Sequence, residues 1–411
     1  MKKALLGVTA ANFAAAGFGF LSTVLLARLL DVASFGRISF IISLVTIFSS
    51  IADFGFSPTV VIYYNQQQSK IGAQSFSAVN TLFLVFLGAF ALLSLPVLAG
   101  IMNYYDMNIT EVLVVFVVFL FYCVQRYSTV LHQAAGNWRG FTLLTCGANV
   151  ARLLILAGAA GGAWWWRGQI GYTDLLAGLV IQAVVVGSST LLMSKRYFSG
   201  FGKVSRQERQ KIYTTLIPLG CTAIVIVVCM RFDSLVIQKY LGAGELGIYA
   251  VANTLAFAFP VITGSLMNVL LREASQMKDE LLPRMMAVQK KFLPWMLFVL
   301  ATTLLVSSPL ITLLFGDHYK EAASIFRILL IPYLGGVFFT PLESYFYARE
   351  PMTILRLKSI QMLIIVIGSM TLIVPFRLYG VVTAILISRL VAWVFLYSKS
   401  TRIVTIQDAT G

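Results

Sequence analysis

The chain has 411 residues, 59% hydrophobic and only 11% charged, where a soluble domain carries about a quarter charged residues. That composition excludes a soluble globular protein and requires repeated membrane crossings. The formal charge of +15 gives no reason to invoke nucleic acid, because a basic excess between membrane spans reflects topology and contact with anionic lipid.

Apolar runs of about 20 residues, enough to cross a hydrocarbon core of roughly 30 Å, recur twelve times. The predicted spans are 7–30, 37–64, 78–102, 111–134, 141–163 and 173–193, then 212–238, 246–270, 291–315, 322–348, 352–375 and 378–399. The opening MKKALLGV resembles a secretory signal, but its apolar run continues to Leu30. It reads as an uncleaved first span.

The second span carries polar residues Ser39, Ser43, Thr46, Ser50, Asp53 and Ser57 at alternating spacings of four and three. Such a spacing places them on one helical face, opposite Ile41, Leu44, Ile47, Phe48, Ile51 and Phe54. Similar polar stripes follow on span four (Tyr122, Gln125 or Arg126, Thr129, Gln133) and span five (Thr142, Thr145, Asn149, Arg152). Three helices of the first half are therefore expected to line one wet cavity. Trp164, Trp165 and Trp166 close span five as an interfacial aromatic belt.

The basic stretch KRYFSGFGKVSRQERQK divides the spans six and six. The expected organisation is an N-lobe over 1–194, a cytoplasmic linker over 195–211, a C-lobe over 212–399 and a short cytoplasmic tail over 400–411. Most of the 31 basic residues fall in segments that an inside N-terminus makes internal, so both ends are expected in the cytoplasm. Cys123, Cys146, Cys221 and Cys229 all lie within spans and form neither a disulfide framework nor metal-ligand spacing. No cofactor is implied.

The segment VLLARLLDVASFGRISF (24–40) aligns with LVIQKYLGAGELGIYAV (235–251) at a constant shift of 211, matching Leu30 with Leu241 and Gly36 with Gly247. In both, a short external turn joins the first two spans of a lobe, with a glycine available for an unusual backbone angle. An even number of spans per lobe makes the repeat parallel, as in many secondary transporters that bind substrate between their halves.

The pattern ARLLDVASFGRISF, IADFGFSPTV and the later RFDSLVIQKYLGAGELGIYAVAN resembles the polysaccharide-biosynthesis transporters. These are O-antigen-type flippases of the multidrug/oligosaccharidyl-lipid/polysaccharide exporter superfamily. The resemblance implies an all-α polytopic fold of about 12 transmembrane helices in two six-helix lobes. It also implies export of lipid-linked oligosaccharide from the cytoplasmic to the external leaflet of a bacterial inner membrane. A lipid II flippase is related but resembles a longer, fourteen-span design.

Embedded charges sharpen the expectation, since an ionised side chain in hydrocarbon must face a bundle interior or a wet cavity. They are Asp53, Arg126, Arg152, Arg231, Asp233, Arg327, Glu343 and Arg389. Arg152 and Arg389 lie near the middle of their spans, where snorkelling is hardest. With Arg126, Arg231 and Asn149 they form the expected site for pyrophosphate and sugar, because guanidinium groups stay charged and grip phosphate oxygens in pairs. Asp53 has three open readings: an ion pair with Arg126, a cap for an irregular helix near Gly55 and Pro58, or a coupling-ion carrier. Asp233 is the second candidate acid, on the opposite side of span seven from Arg231. Arg327 is expected to snorkel, Glu343 to make a local ion pair, and His132 to be a satisfied polar side chain.

The expected partners are a lipid-linked oligosaccharide, membrane lipids, a proton or sodium ion, and polysaccharide polymerase machinery. Pro58, Pro218, Pro260, Pro332 and Pro341 would weaken their helices and permit rocking. Two other functions compete. A cation-coupled multidrug exporter should prefer an acidic cavity, and a membrane polymerase or ligase needs a catalytic constellation that the short external loops do not supply.

Overall fold

A computed structural model describes residues 2–66, 74–198, 204–276 and 281–410, and among these every regular element is helical. Among the described residues, eleven helices are long and apolar enough to cross a membrane. One of them, over Met352–Thr405, is broken at Arg377, whose φ of 52° and ψ of −133° leave the helical region. The expected spans 352–375 and 378–399 are its two arms, so the multi-pass all-α architecture stands.

Contacts divide the chain into two compact units, Met1–Arg231 and Phe232–Gly411. The first holds α1 (Lys2–Leu29), α2 (Val32–Asp53), α3 (Phe56–Gln66), α4 (Gln74–Tyr104), α5 (Ile109–Ala134), α6 (Trp138–Arg167), α7 (Tyr172–Met193), the short α8 (Lys195–Phe198) and most of α9 (Arg206–Tyr240). The second holds the end of α9, then α10 (Gly242–Ala256), α11 (Ala258–Gln276), α12 (Leu281–Phe315), α13 (Ala322–Arg349) and α14 (Pro351–Thr410). Of the expected linker, residues 199–203 lie outside the described residues. Its flanks are helical, as is the tail through Thr410.

Each unit is organised around one helix. In the first, α5 touches α2, α3, α4, α6 and α7. Its residues Val115, Phe119, Cys123, Tyr127 and Leu131 recur every four positions and are all buried, as a stripe packed into protein should be. The neighbouring wall is aromatic: Phe119 packs on Phe48 and Phe90, and the Tyr127 ring stacks on Phe83 at 3.8 Å. In the second, α13 touches α10, α11, α12 and α14.

Two expectations about helix breaks change. The span 37–64 is two helices, parted where Phe54 and Gly55 take φ of 36° and 77°. A Cβ on Gly55 would meet the Gly220 backbone N at 2.7 Å, and one on Gly220 would meet the Phe54 carbonyl at 2.7 Å. The break is thus pressed against α9 at a point where both partners must lack side chains. The 246–270 span is likewise divided after Ala256. Pro58 and Pro260 are each the third residue of the helix following a break, a position where the missing N–H would have no partner in any case. They begin helices and do not kink them; Pro218, Pro332 and Pro341 remain inside α9 and α13.

The repeat is visible in the helix ends. α1 ends at Leu29 and α9 at Tyr240, a separation equal to the sequence shift. The turns themselves differ from expectation, because Gly36 and Gly247 lie inside helices and are buried. Asp31 forms the first turn by capping α2, accepting from the Ala33 and Ser34 N–H groups at 3.1 Å. Gly242, at φ 87°, forms the second.

Candidate functional site

The polar stripes of spans four and five converge as expected, and α2 joins them with a different face. Tyr122, Gln125, Arg126 and Thr129 of α5 meet Thr145, Asn149 and Arg152 of α6 across a cavity of about 370 Å³. α7 adds Gln182, and α9 adds Arg231. Gln182 belongs to no polar stripe of the sequence, because the positions three and four residues to either side of it on α7 are Gly178, Leu179, Val185 and Val186.

α2 supplies Ile41, Ile42, Val45 and Thr46. Only Thr46 of its polar stripe lines the cavity. The reason is the rotation of α2 about its own axis: Ile42, Val45 and Thr46 form the face turned to the cavity, and the rest of the stripe lies to one side of it. Ser43 and Thr46 also turn their hydroxyls onto their own helix, donating to the Ser39 and Ile42 carbonyls at 2.9 and 2.7 Å. Thr129 and Thr145 do the same on α5 and α6.

Asp53 is buried outside this lining. Its Oδ1 accepts from the Ser57 hydroxyl at 2.6 Å and from the Ser57 N–H at 3.2 Å. That geometry caps the first turn of α3. The positive charge of Arg126 also acts on the carboxylate. Of the three readings, the cap is therefore realised in the geometry.

Arg152 brings a buried, unpartnered N–H to the cavity wall. Its Nε is buried and has no hydrogen-bond partner among the described residues. A buried guanidinium N–H without an acceptor is costly unless water or a ligand oxygen supplies one. One turn earlier, Asn149 donates through Nδ2 to the Thr145 carbonyl at 3.0 Å, and its Oδ1 lies 3.3 Å from where a Cβ on Gly19 of α1 would stand. Among the described residues lining the cavity, none is acidic.

The other expected site residues lie elsewhere. Arg389 belongs to α14 in the second unit and faces a charge cluster. There Lys358 pairs with Glu343 at 2.9 Å, and Arg389 adds a second positive charge acting on the same carboxylate. Glu343 thus has its local ion pair, with a partner from α14. Asp233 is buried, accepts from the Ser234 N–H at 2.6 Å and receives the Tyr249 hydroxyl. It and Arg231 point to different sides of α9, as two-residue spacing on a helix requires.

Arg327 donates to the Ser307 and Ser308 hydroxyls, both at 2.8 Å, so α12 supplies its partners. His132 bonds Ser194 at 3.1 Å and Asn137 at 2.9 Å, consistent with a structural side chain. At the other end of α5, Glu111 holds Arg37 through both oxygens at 2.8 and 2.9 Å and receives the Tyr172 hydroxyl at 2.6 Å. These two polar clusters tie α5 to its neighbours beyond the cavity.

A multi-pass helical bundle with a polar cavity walled by its own spans defines the class of polytopic all-α membrane proteins. A family model described as "Polysaccharide biosynthesis protein" matches residues 2–271, more than half of the chain, and the protein belongs to that family. No curated protein sequence matches it.

Solved structures share its fold. The lipid II flippase MurJ in an inward closed conformation has a TM-score of 0.74 at 15% identity, covering 96% of this chain and 87% of that one. An inward-facing multidrug resistance MATE family transporter of the MOP superfamily has a TM-score of 0.69 at 13% identity, covering 98% and 96%. A third is a MOP superfamily transporter from Pyrococcus furiosus, described as having a binding pocket of reverse polarity that suggests a different function. It has a TM-score of 0.60 at 13% identity, covering 98% and 96%.

Proposed function

We infer that this protein is a flippase. It moves polyprenyl-pyrophosphate-linked oligosaccharide units, of the kind used for O-antigen and lipopolysaccharide, from the cytoplasmic to the external leaflet of a bacterial inner membrane. The observation that carries this reading is the charge of the cavity: Arg126, Arg152 and Arg231 line it without a carboxylate among the described lining residues. Such a surface suits a diphosphate, which guanidinium groups bind through paired charge-assisted hydrogen bonds. Gln125, Asn149 and Gln182 offer donors and acceptors for sugar hydroxyls.

The same charge disfavours the exporter reading, since a cationic amphiphile would meet three like charges. Two structural neighbours support a division of cargo by pocket chemistry: one is a lipid II flippase, and the Pyrococcus furiosus transporter is described by the reverse polarity of its pocket. In this reading the protein is a transporter and carries out no bond chemistry. Its termini face the cytoplasm, its lobes alternate access, and polysaccharide polymerase machinery acts after it.

An ion gradient, of protons or sodium, drives the cycle, with Asp53 the first candidate carrier and Asp233 the second. Loss of charge on Asp53 would weaken the Ser57 cap and loosen the α2–α3 junction. In vesicles, Asp53→Asn is expected to uncouple transport from the gradient; unchanged gradient dependence removes Asp53 from the mechanism.

The decisive experiment is deletion followed by analysis of lipid-linked sugars. Complete units stranded on the cytoplasmic leaflet are the expected result. Short, unpolymerised chains at the external surface would instead indicate a polymerase.

A further inference from the structure

The second unit holds a cavity of opposite character. α11, α12 and α13 wall about 360 Å³ with apolar side chains, among them Leu270, Phe292, Trp295, Val299 and Val337. Among the described lining residues Gln289 is the one amide, and its Nε2 is already engaged, donating to the Phe338 carbonyl at 2.7 Å. Water in such a space would lack the two to four polar partners it needs.

The surroundings decide what fills it. α12 and α13 contribute the apolar stretches Met285–Phe315 and Ala322–Tyr347, so the medium at their surface is hydrocarbon. Phe292 and Trp295 are 56% and 61% exposed, leaving the groove open to that medium.

A second, shallower depression shares Phe292 and Trp295 with the groove and includes Lys291. Lys290 beside it is exposed. In the inside-positive orientation, this end of α12 meets the cytoplasmic leaflet. Basic pockets between membrane helices on that side suit anionic lipid headgroups.

We propose that this groove is a binding site for one anionic phospholipid, with an acyl chain lying among Phe292, Val299 and Val337 and its phosphate on Lys291. The cavity is at the small end of the range for ligand sites, which fits one acyl chain better than a long isoprenoid. The inference does not rest on the cargo reading, because the arginine-lined cavity belongs to the first unit and shares no residue with the groove.

The test uses the full-length protein purified in detergent and titrated with phosphatidylglycerol, phosphatidylethanolamine or polyprenyl phosphate, with retained lipid counted by native mass spectrometry. Phosphatidylglycerol carrying a photoreactive acyl chain then maps the contact. Preferential retention of phosphatidylglycerol, with label on the peptides of α12 and α13 that contain Phe292 and Val337, is expected.

Lys291→Ala should lower that retention about fivefold, the effect of one basic residue at a lipid surface. Val337→Trp should fill the groove and abolish the label. Equal retention of phosphatidylglycerol and phosphatidylethanolamine, label confined to other helices, or displacement by polyprenyl phosphate but not by unlabelled phosphatidylglycerol would each overturn the proposal. Should Val337→Trp fail to fold, the wild-type competition decides alone.

Discussion

Arg152 and Arg389 are alike as sequence features, each a lone cation in the middle of an apolar helix, yet their surroundings are opposite. Arg152 looks into a cavity whose described lining contains two further arginines and no acid, and its Nε finds no acceptor among the described residues. Arg389 stands beside a carboxylate already paired with Lys358. An embedded arginine is therefore not one kind of object. Where acids surround it, the charge is offset within the protein and contributes to packing; where only arginines, amides and hydroxyls surround it, the offset must come from water or from an anion.

The largest expected effect tests that contrast directly. Arg152→Ala should slow flipping of lipid-linked oligosaccharide in proteoliposomes by roughly ten- to hundredfold, the loss of one charged hydrogen-bonding group. Arg389→Ala should slow it by less than about tenfold on the same scale. Equal losses would abolish the distinction, and full transport by Arg152→Ala would remove Arg152 from the site.

The next effect falls on stability. Lys358→Met leaves the Glu343 carboxylate without its ion-pair partner and should cost up to about 3 kcal/mol, read as a lowered unfolding midpoint in detergent. Adding Glu343→Gln should recover most of the loss. A single variant as stable as the parent would show that Arg389 alone suffices for Glu343.

Gly55→Ala sharpens the comparison from the side of the cavity. It places a Cβ at φ 77° against the Gly220 backbone, for an expected cost of about 1–3 kcal/mol. Since the α2–α3 break sits at the end of a cavity helix, transport should fall with it. Retained stability would mean that α9 can move away.

The smallest effect concerns Glu350, between α13 and α14, where Lys399 and Thr353 hydrogen-bond to it. The Lys399 ammonium, followed by the Thr353 hydroxyl, holds its carboxyl below the ordinary value. A carboxylate with a depressed folded value stabilises the fold above its unfolded value of about 4.3 and loses that contribution as pH falls through the folded one. The group is 39% exposed, so the change should be under about 1 kcal/mol. An unfolding midpoint followed downward from pH 5 should differ between the parent and Glu350→Gln only at the upper end of that range.

Much of this architecture is legible in the amino-acid sequence. Composition required a polytopic helical protein, the run lengths located its spans, and four-and-three spacing picked out α5 and α6 as cavity walls. Period, length and polarity are local properties, and a helix in hydrocarbon has few alternatives to the one its sequence encodes. The same reasoning erred on α2. Its polar stripe predicts the cavity-lining face, but the helix turns Ile42, Val45 and Thr46 there and ends at Phe54 and Gly55 before Ser57.

What the sequence by itself determined was the kind of environment each helix needs, because apolar length and charge cost depend on the residue and its medium. Which embedded charges meet one another was decided only by tertiary structure. Glu343 takes Lys358 from α14 with Arg389 beside the pair, and Gln182 enters the cavity from α7 without belonging to a polar stripe. Electrostatic and hydrogen-bonding energies fall off over a few ångströms, and separations on that scale are fixed by helix rotation and packing between segments distant in the chain.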